Sequence, residues 1–241
     1  MVDVTPRKEP GTLVARPPVM EFAVIAAILG LCVTAAGLVM LSNPWPAFLA
    51  FGLCVALVAA GLRRSYPHAE FGMCNTVTLG RAALLSLLAG ALLEAARVSP
   101  WLVFWVALTI LVLDGVDGWL ARRSHLKSAF GARFDMETDA ALGAVLALYL
   151  LLSGRVGAEV LVLGFLRYAF VLAGLVWPAL RAELPESFRR KTICVVQNGA
   201  LIALVCPLLP AALLAPVAMA AAAMLVASFA IDTAWLARHA R

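Results

Sequence analysis

The sequence predicts an all-α fold, a polytopic bundle of about eight transmembrane helices with both termini on the cytoplasmic side. Composition is the first reason. Of 241 residues, 63% are apolar and 14% charged, whereas an average soluble domain is roughly half apolar and about a quarter charged. Run length is the second, because nearly uncharged stretches recur at the ~20 residues that a helix rising about 1.5 Å per residue needs to cross a bilayer. Eight such spans occupy about 170 residues, which leaves tails and short loops but no room for an independent soluble catalytic domain. The third reason is where the basic residues fall.

Taken in order, residues 1–19 form a polar tail with Arg7, Lys8, Arg16 and several prolines, and 22–41 is the first span. It is too long for the apolar core of a cleaved signal peptide, about 7–15 residues. Asn43-Pro44-Trp45-Pro46 then reads as an interfacial turn. The remaining spans are expected at 45–62, 75–96, 101–121, 132–154, 156–180, 192–214 and 215–237. With the amino terminus inside, the inner segments carry Arg7, Lys8, Arg16, Arg63, Arg64, Arg122, Arg123, Lys127, Arg133, Arg181, Arg189, Arg190, Lys191, Arg238 and Arg241, and the outer ones only Arg97 and Arg155. That asymmetry sets the orientation. A formal charge of +5 dispersed in this way marks topology and excludes a nucleic-acid surface. Cys32, Cys54, Cys74, Cys194 and Cys206 share no metal-type spacing and read as free packing residues.

Charges at membrane depth carry the chemistry, and they concentrate in LVLDGVDGWLARRSHLKSAFGARFDMETDA, residues 111–140. Asp114 and Asp117 close one span at i, i+3, and Asp135 and Asp139 open the next at i, i+4. Both spacings place side chains on one helix face, about 5–6 Å apart at Cβ. Two antiparallel helices therefore aim four carboxylates at one point, where they repel unless cations sit among them. Oxygen ligands without His or Cys favour Mg²⁺, Mn²⁺ or Ca²⁺. Gly118, Ala121 and Gly131 leave room beside the acids, and Arg122 offers a planar fork for phosphate. Together these describe a diphosphate site. The bland alternative is that the acids cap helix ends and pair with Arg122, Arg123 and Arg133.

Asp114-x-x-Asp117-Gly118-x-x-Ala121-Arg122, eight residues, then Gly131-x-x-x-Asp135-x-x-x-Asp139 resembles the signature of the CDP-alcohol phosphotransferases at every fixed position. Asn75, Thr78 and Arg81 match a second family element, Asn-x-x-Thr-x-x-Arg; read bare, Asn75 is a helix N-cap. The resemblance implies a six-helix catalytic core over residues 66–241, with a tail and two extra spans in 1–65. It also implies an integral membrane enzyme, typically a homodimer, in phospholipid biosynthesis. Such an enzyme moves a phosphatidyl-type group from a CDP-linked lipid to an alcohol and releases CMP. By the same resemblance Asp114, Asp117 and Asp135 hold two divalent ions, Mg²⁺ or Mn²⁺, and Asp139 is the general base, also within reach of a metal. Asn75, Thr78, Arg81, Gly118, Ala121, Arg122 and Gly131 bind the CDP diphosphate. Read bare, Arg81 lacks a partner within its own helix, so it is expected to face the bundle and meet the Asp cluster or the nucleotide. The expected setting is a bacterial inner membrane with the site facing the cytoplasm.

Arg167 sits within a span and needs a partner. It is expected to contact an anionic acceptor, or to pair with Glu94 or Glu159. Arg189, Arg190 and Lys191 at the cytoplasmic mouth are further acceptor contacts or topology anchors. Glu137 lies about 200° around its helix from Asp135 and Asp139 and so outside their cluster. Glu94 and Asp232 have no role readable from sequence. Neither the Asp-Pro-x-Ala-Asp-Lys of glycerophosphate-using relatives nor the Asp-Ser of serine-using ones stands at Asp135-Met136-Glu137-Thr138-Asp139-Ala140, so the acceptor is not assigned. A cation transporter lined by the same acids is the other function class considered. It calls for acids at mid-membrane in symmetric halves, and no internal repeat is visible.

Overall fold

The computed structural model describes residues 18–124, 126, 128–182 and 187–239, with only the backbone described at Arg181 and Lys191. The tail with Arg7, Lys8 and Arg16, and also His125, Lys127 and Arg241, lies outside the described residues. Eight α-helices follow one another: α1 (Val19–Met40), α2 (Trp45–Ser65), α3 (Met73–Ala91), α4 (Pro100–Arg123), α5 (Ala129–Leu152), α6 (Val160–Val176), α7 (Phe188–Val205) and α8 (Ala211–His239). No strand occurs among the described residues.

Local chemistry explains the boundaries and corrects some expected ones. Ser128 caps α5, its Oγ accepting from the Gly131 N–H at 3.0 Å. Gly154, at φ 67°, follows the end of α5 in the left-handed conformation that glycine adopts without steric cost. The seventh and eighth helices do not meet at 214/215: α7 stops at Val205 and α8 starts at Ala211. The intervening Cys206-Pro207-Leu208-Leu209-Pro210 is where two prolines remove helix donors, while Pro216 is absorbed inside α8. The sixth helix is also shorter than the expected 156–180. Five helices among the described residues are long and apolar enough to cross a membrane: α1, α2, α3 with its 3₁₀ extension to Glu94, α4 and α8. The other three are interrupted by charge or are short. α5 carries Arg133, Asp135, Glu137 and Asp139, α7 begins with Arg189-Arg190-Lys191, and α6 has 17 residues.

α3 is the hub. It packs against α1, α2, α4 and α5, and 61% of its most apolar stretch is buried, against 22–28% in the other four candidate spans. α7 packs against α4, α5 and α8, and α6 against α5 and α8. The sequence α3, α4, α7, α5 thus closes a four-helix ring, with α4 and α5 facing one another between α3 and α7. Polar residues lock the loops outside it. Glu21 accepts from the Phe71 N–H at 2.8 Å, just ahead of α3. Glu94 accepts from the N–H groups of Ser42 and Asn43, each at 3.1 Å. Arg155 reaches Leu204 O at 2.7 Å and Cys206 O at 2.5 Å, satisfying carbonyls left open at the end of α7. All five cysteines are free.

Candidate active site

The ring positions four carboxylates around one guanidinium. Arg81 is fully buried on α3. Its Nη1 lies 2.7 Å from Asp117 Oδ2 and 2.5 Å from Asp135 Oδ1. Its Nη2 lies 3.0 Å from Asp114 Oδ1 and also contacts Asp139 Oδ1. The planar fork of arginine suits this, since it presents several donors to carboxylates from two helices at once. The bland alternative, in which Arg122, Arg123 and Arg133 answer these acids, does not hold. Among the described residues the only ion-pair partner of the four is Arg81, and Arg123 instead lies over the Trp119 ring, 4.2 Å from its centroid. Interfacial arginines reach water along their stems, whereas a buried Arg81 has no such exit.

The acids are not equivalent. Asp117 is 4% exposed and is held by Arg81 and by the Thr78 hydroxyl, which donates to its Oδ2 at 3.1 Å. Asp114, Asp135 and Asp139 are 27%, 41% and 20% exposed. Each of these three offers a carboxylate oxygen, and the three oxygens lie within 4.8 Å of one another. An all-oxygen donor set at that separation fits a hard divalent cation. The charge balance agrees, because four carboxylates face one guanidinium and the surplus negative charge needs a cation.

The remaining expected nucleotide residues fall at the same end. Asn75 is not the N-cap of α3; Gly72, at φ 80°, holds that position and Asn75 is the third helical residue. Its Nδ2 donates to Phe71 O at 2.6 Å and to the Tyr66 hydroxyl at 3.0 Å. Its Oδ1 faces Gly131, where a Cβ would stand 2.9 Å away, so Gly131 permits a close approach of α3 and α5. Gly118 faces open space apart from Arg122, whose Nη1 would be 3.4 Å from a Cβ there. Ala121 is half-buried and Arg122 exposed on the last turn of α4.

Two of the expected acceptor cations pair with acids of the chain. Arg167 pairs with Glu137 at 2.5 Å, not with Glu94 or Glu159. Those two acids accept backbone N–H bonds at Ser42, Asn43 and Gly157. Glu137, placed outside the cluster by its helical angle, does face away from it. Arg189 pairs with Asp232 at 2.5 Å and also contacts Ser228, joining α7 to α8 and giving Asp232 its role. Arg190 stands beside it in the first turn of α7; the side chain of Lys191 lies outside the described residues. Sequence reasoning passed over Gln197 and Asn198. Gln197 Nε2 donates to Leu163 O, and both amides face Gly143, one turn beyond Asp139, where a Cβ would meet Gln197 Nε2 at 3.2 Å and Asn198 Oδ1 at 3.4 Å. The signal was available as two adjacent amides in the apolar run of α7.

No curated protein and no solved structure matches the chain significantly. The family model described as CDP-alcohol phosphatidyltransferase matches residues 71–231, a stretch that contains Arg81, all four aspartates and α3 through most of α8. By that match the chain belongs to the CDP-alcohol phosphatidyltransferase family.

Proposed function

We propose that this chain transfers a phosphatidyl group from a CDP-linked lipid, CDP-diacylglycerol, to the hydroxyl of an alcohol acceptor and releases CMP, as a divalent-metal-dependent step of phospholipid synthesis. The observation that carries the reading is the convergence of Asp114, Asp117, Asp135 and Asp139 on Arg81. A transport path calls for symmetric halves, and no internal repeat in the sequence supports one. All eight helices cross the membrane in this reading, residues 66–241 form the catalytic core, and 1–65 supply the tail and two added spans. The excess of Arg and Lys in the segments that flank the aspartate motif supports a cytoplasmic position for the site and both termini, and in this reading the membrane is a bacterial inner membrane. The working unit is a homodimer.

The acceptor oxygen attacks the lipid-linked phosphorus, a new P–O bond forms, and the P–O bond to CMP breaks. Asp139 takes the hydroxyl proton: Arg81 occupies its Oδ1, so Oδ2 is the atom that faces the acceptor. Asp114, Asp117 and Asp135, with Asp139 within reach, would hold two Mg²⁺ or Mn²⁺ ions, which when bound would neutralise the diphosphate and the charge developing on the leaving phosphate. Arg81 fixes the four carboxylates in one geometry before substrate arrives, and Thr78 holds Asp117. Gly118 and Ala121 keep space for cytidine and ribose, Arg122 binds phosphate, and Asn75 with Gly131 sets the distance between α3 and α5. Arg167, Arg189 and Arg190 are assigned to the acceptor side in this reading, and Lys191 with them by its place in the sequence. Because Glu137 and Asp232 already neutralise Arg167 and Arg189, an anionic acceptor gains less from those two than from unpaired cations.

Purified protein offered CDP-diacylglycerol, Mg²⁺ or Mn²⁺ and a panel of alcohols tests the reading. A lipid product that keeps both acyl chains and gains one acceptor, in step with CMP, is the expected result. Hydrolysis to phosphatidic acid with every alcohol would contradict acceptor transfer.

A further inference from the structure

A groove of about 960 Å³ runs between α2 and the core, near the upper end of the range for ligand sites. Leu57 of α2, Leu85 and Ala89 of α3 and Phe134 of α5 contribute to its lining. At one end α2 presses on α3, where a Cβ on Gly90 would stand 2.8 Å from Ala47 Cβ. At the other it presses on α5, where a Cβ on Gly61 would stand 2.6 Å from the Phe130 ring. Of the four hydroxyls in the wall, Ser65, Ser86 and Thr138 are satisfied within their own helices, on Gly61 O at 3.2 Å, Ala82 O at 2.8 Å and Phe134 O at 2.9 Å, and Tyr168 supplies the fourth, so the wall is largely apolar.

The mouth is not apolar. Arg64, in the last turn of α2, and Arg133, in the first of α5, both line the groove and are exposed. Neither has an ion-pair partner among the described residues, and the nearby Glu137 is taken by Arg167. Two uncompensated cations where an apolar slot reaches the end of the bundle complement an anionic headgroup that carries long chains. None of the four aspartates lines the groove, and Glu137 and Ala141, which do, lie about 200° around α5 from Asp139. Its α2 wall lies outside the family match at residues 71–231, and its α3, α5 and α6 walls lie inside it.

We infer that this groove holds one anionic glycerophospholipid of the surrounding leaflet, its phosphate between Arg64 and Arg133 and its chains along α2, α3 and α5. The lipid is neither donor nor product in place at the aspartates, so the inference stands independently of the reaction assigned to them. In this role the added helices create a lipid-binding surface on the outside of the catalytic ring.

Native mass spectrometry of the full chain in mild detergent tests it, with phosphatidylglycerol and phosphatidylcholine of identical chains as probes. The wild-type protein is expected to retain one phosphatidylglycerol with roughly tenfold preference. Arg64→Gln with Arg133→Gln abolishes the preference, and Asp135→Asn leaves it intact. Ala89→Trp, which fills the groove, lowers retention of both lipids; should that variant not fold, Ala141→Leu reads the same space. Equal retention of the two lipids, or retention indifferent to all the groove variants, overturns the inference. So does one-for-one displacement of phosphatidylglycerol by CDP-diacylglycerol, which would make the groove the donor's. Loss of a dimer in Ala89→Trp without loss of lipid would assign the groove to a second copy.

Discussion

Arg81 is the residue on which the site turns. Within a helix whose other side chains are apolar or small, a lone arginine must find negative charge elsewhere in the fold, and that much was legible in the sequence. That it could meet the aspartate cluster was legible too, but that one guanidinium would contact all four was not, because the register between residues 33 to 58 apart in sequence is a tertiary property. Removing it leaves buried Asp117 without its cation, a loss of about 3–5 kcal/mol for a broken buried pair. Arg81→Ala should therefore lower the thermal unfolding midpoint of the metal-free protein, and Arg81→Lys should recover only part of the loss, lacking the fork. An unchanged midpoint in Arg81→Ala would show that the quartet is not held by this charge. Asp139→Asn keeps the shape but cannot accept a proton at neutral pH, so turnover should fall roughly 10²–10⁴-fold while CDP-lipid binding is largely kept. Asp117→Asn loosens Arg81 and Thr78 together and should weaken donor binding as well. Equal loss of donor binding in both variants would make Asp139 a metal ligand and not the base.

At the scale of elements, the sequence announced helices by apolar run length and missed where local chemistry moved their ends. Asn75 looked like a cap because it precedes an apolar run, yet Gly72 starts α3 earlier. The boundary expected at 214/215 lies instead at 206–210, where Pro207 and Pro210 keep α7 and α8 apart although apolar character runs on without a break. Arg167 found Glu137 because α5 and α6 pack closely: a Cβ on Gly164 would stand 2.6 Å from Ala147 Cβ. The corresponding contact of α3 with α5 runs through Gly131. Gly131→Leu should push these helices apart and displace Asp135 and Asp139 from Arg81. Its expected signature is a fall in kcat together with weaker Mn²⁺ binding, while far-ultraviolet circular dichroism stays helical. Wild-type Mn²⁺ affinity in that variant would show that the close approach does not shape the metal site.

Across the whole molecule, the ring of α3, α4, α7 and α5 carries the chemistry, with α1 and α2 applied to the outer side of α3. Composition foretold a helical membrane chain, and the aspartate spacing foretold a shared site. Neither showed that α3 and α7 stand between the two aspartate helices, since contact order among eight similar apolar runs leaves no mark in any one of them. A chain beginning at Arg63 forgoes the Glu21 contact to Phe71 and the Ala47 contact to Gly90. It should unfold at lower temperature yet keep measurable CMP release, and a folded but inactive product would place part of the site in the first two helices.

The most direct test of the central claim is CMP release from CDP-diacylglycerol by the purified full-length protein, followed through chelation with EDTA and titration back with Mg²⁺ or Mn²⁺. The account predicts that release stops on chelation, returns with either ion, and stays absent in Asp135→Asn at the same metal concentration. Undiminished, alcohol-dependent release after exhaustive chelation, or from Asp135→Asn, would contradict it.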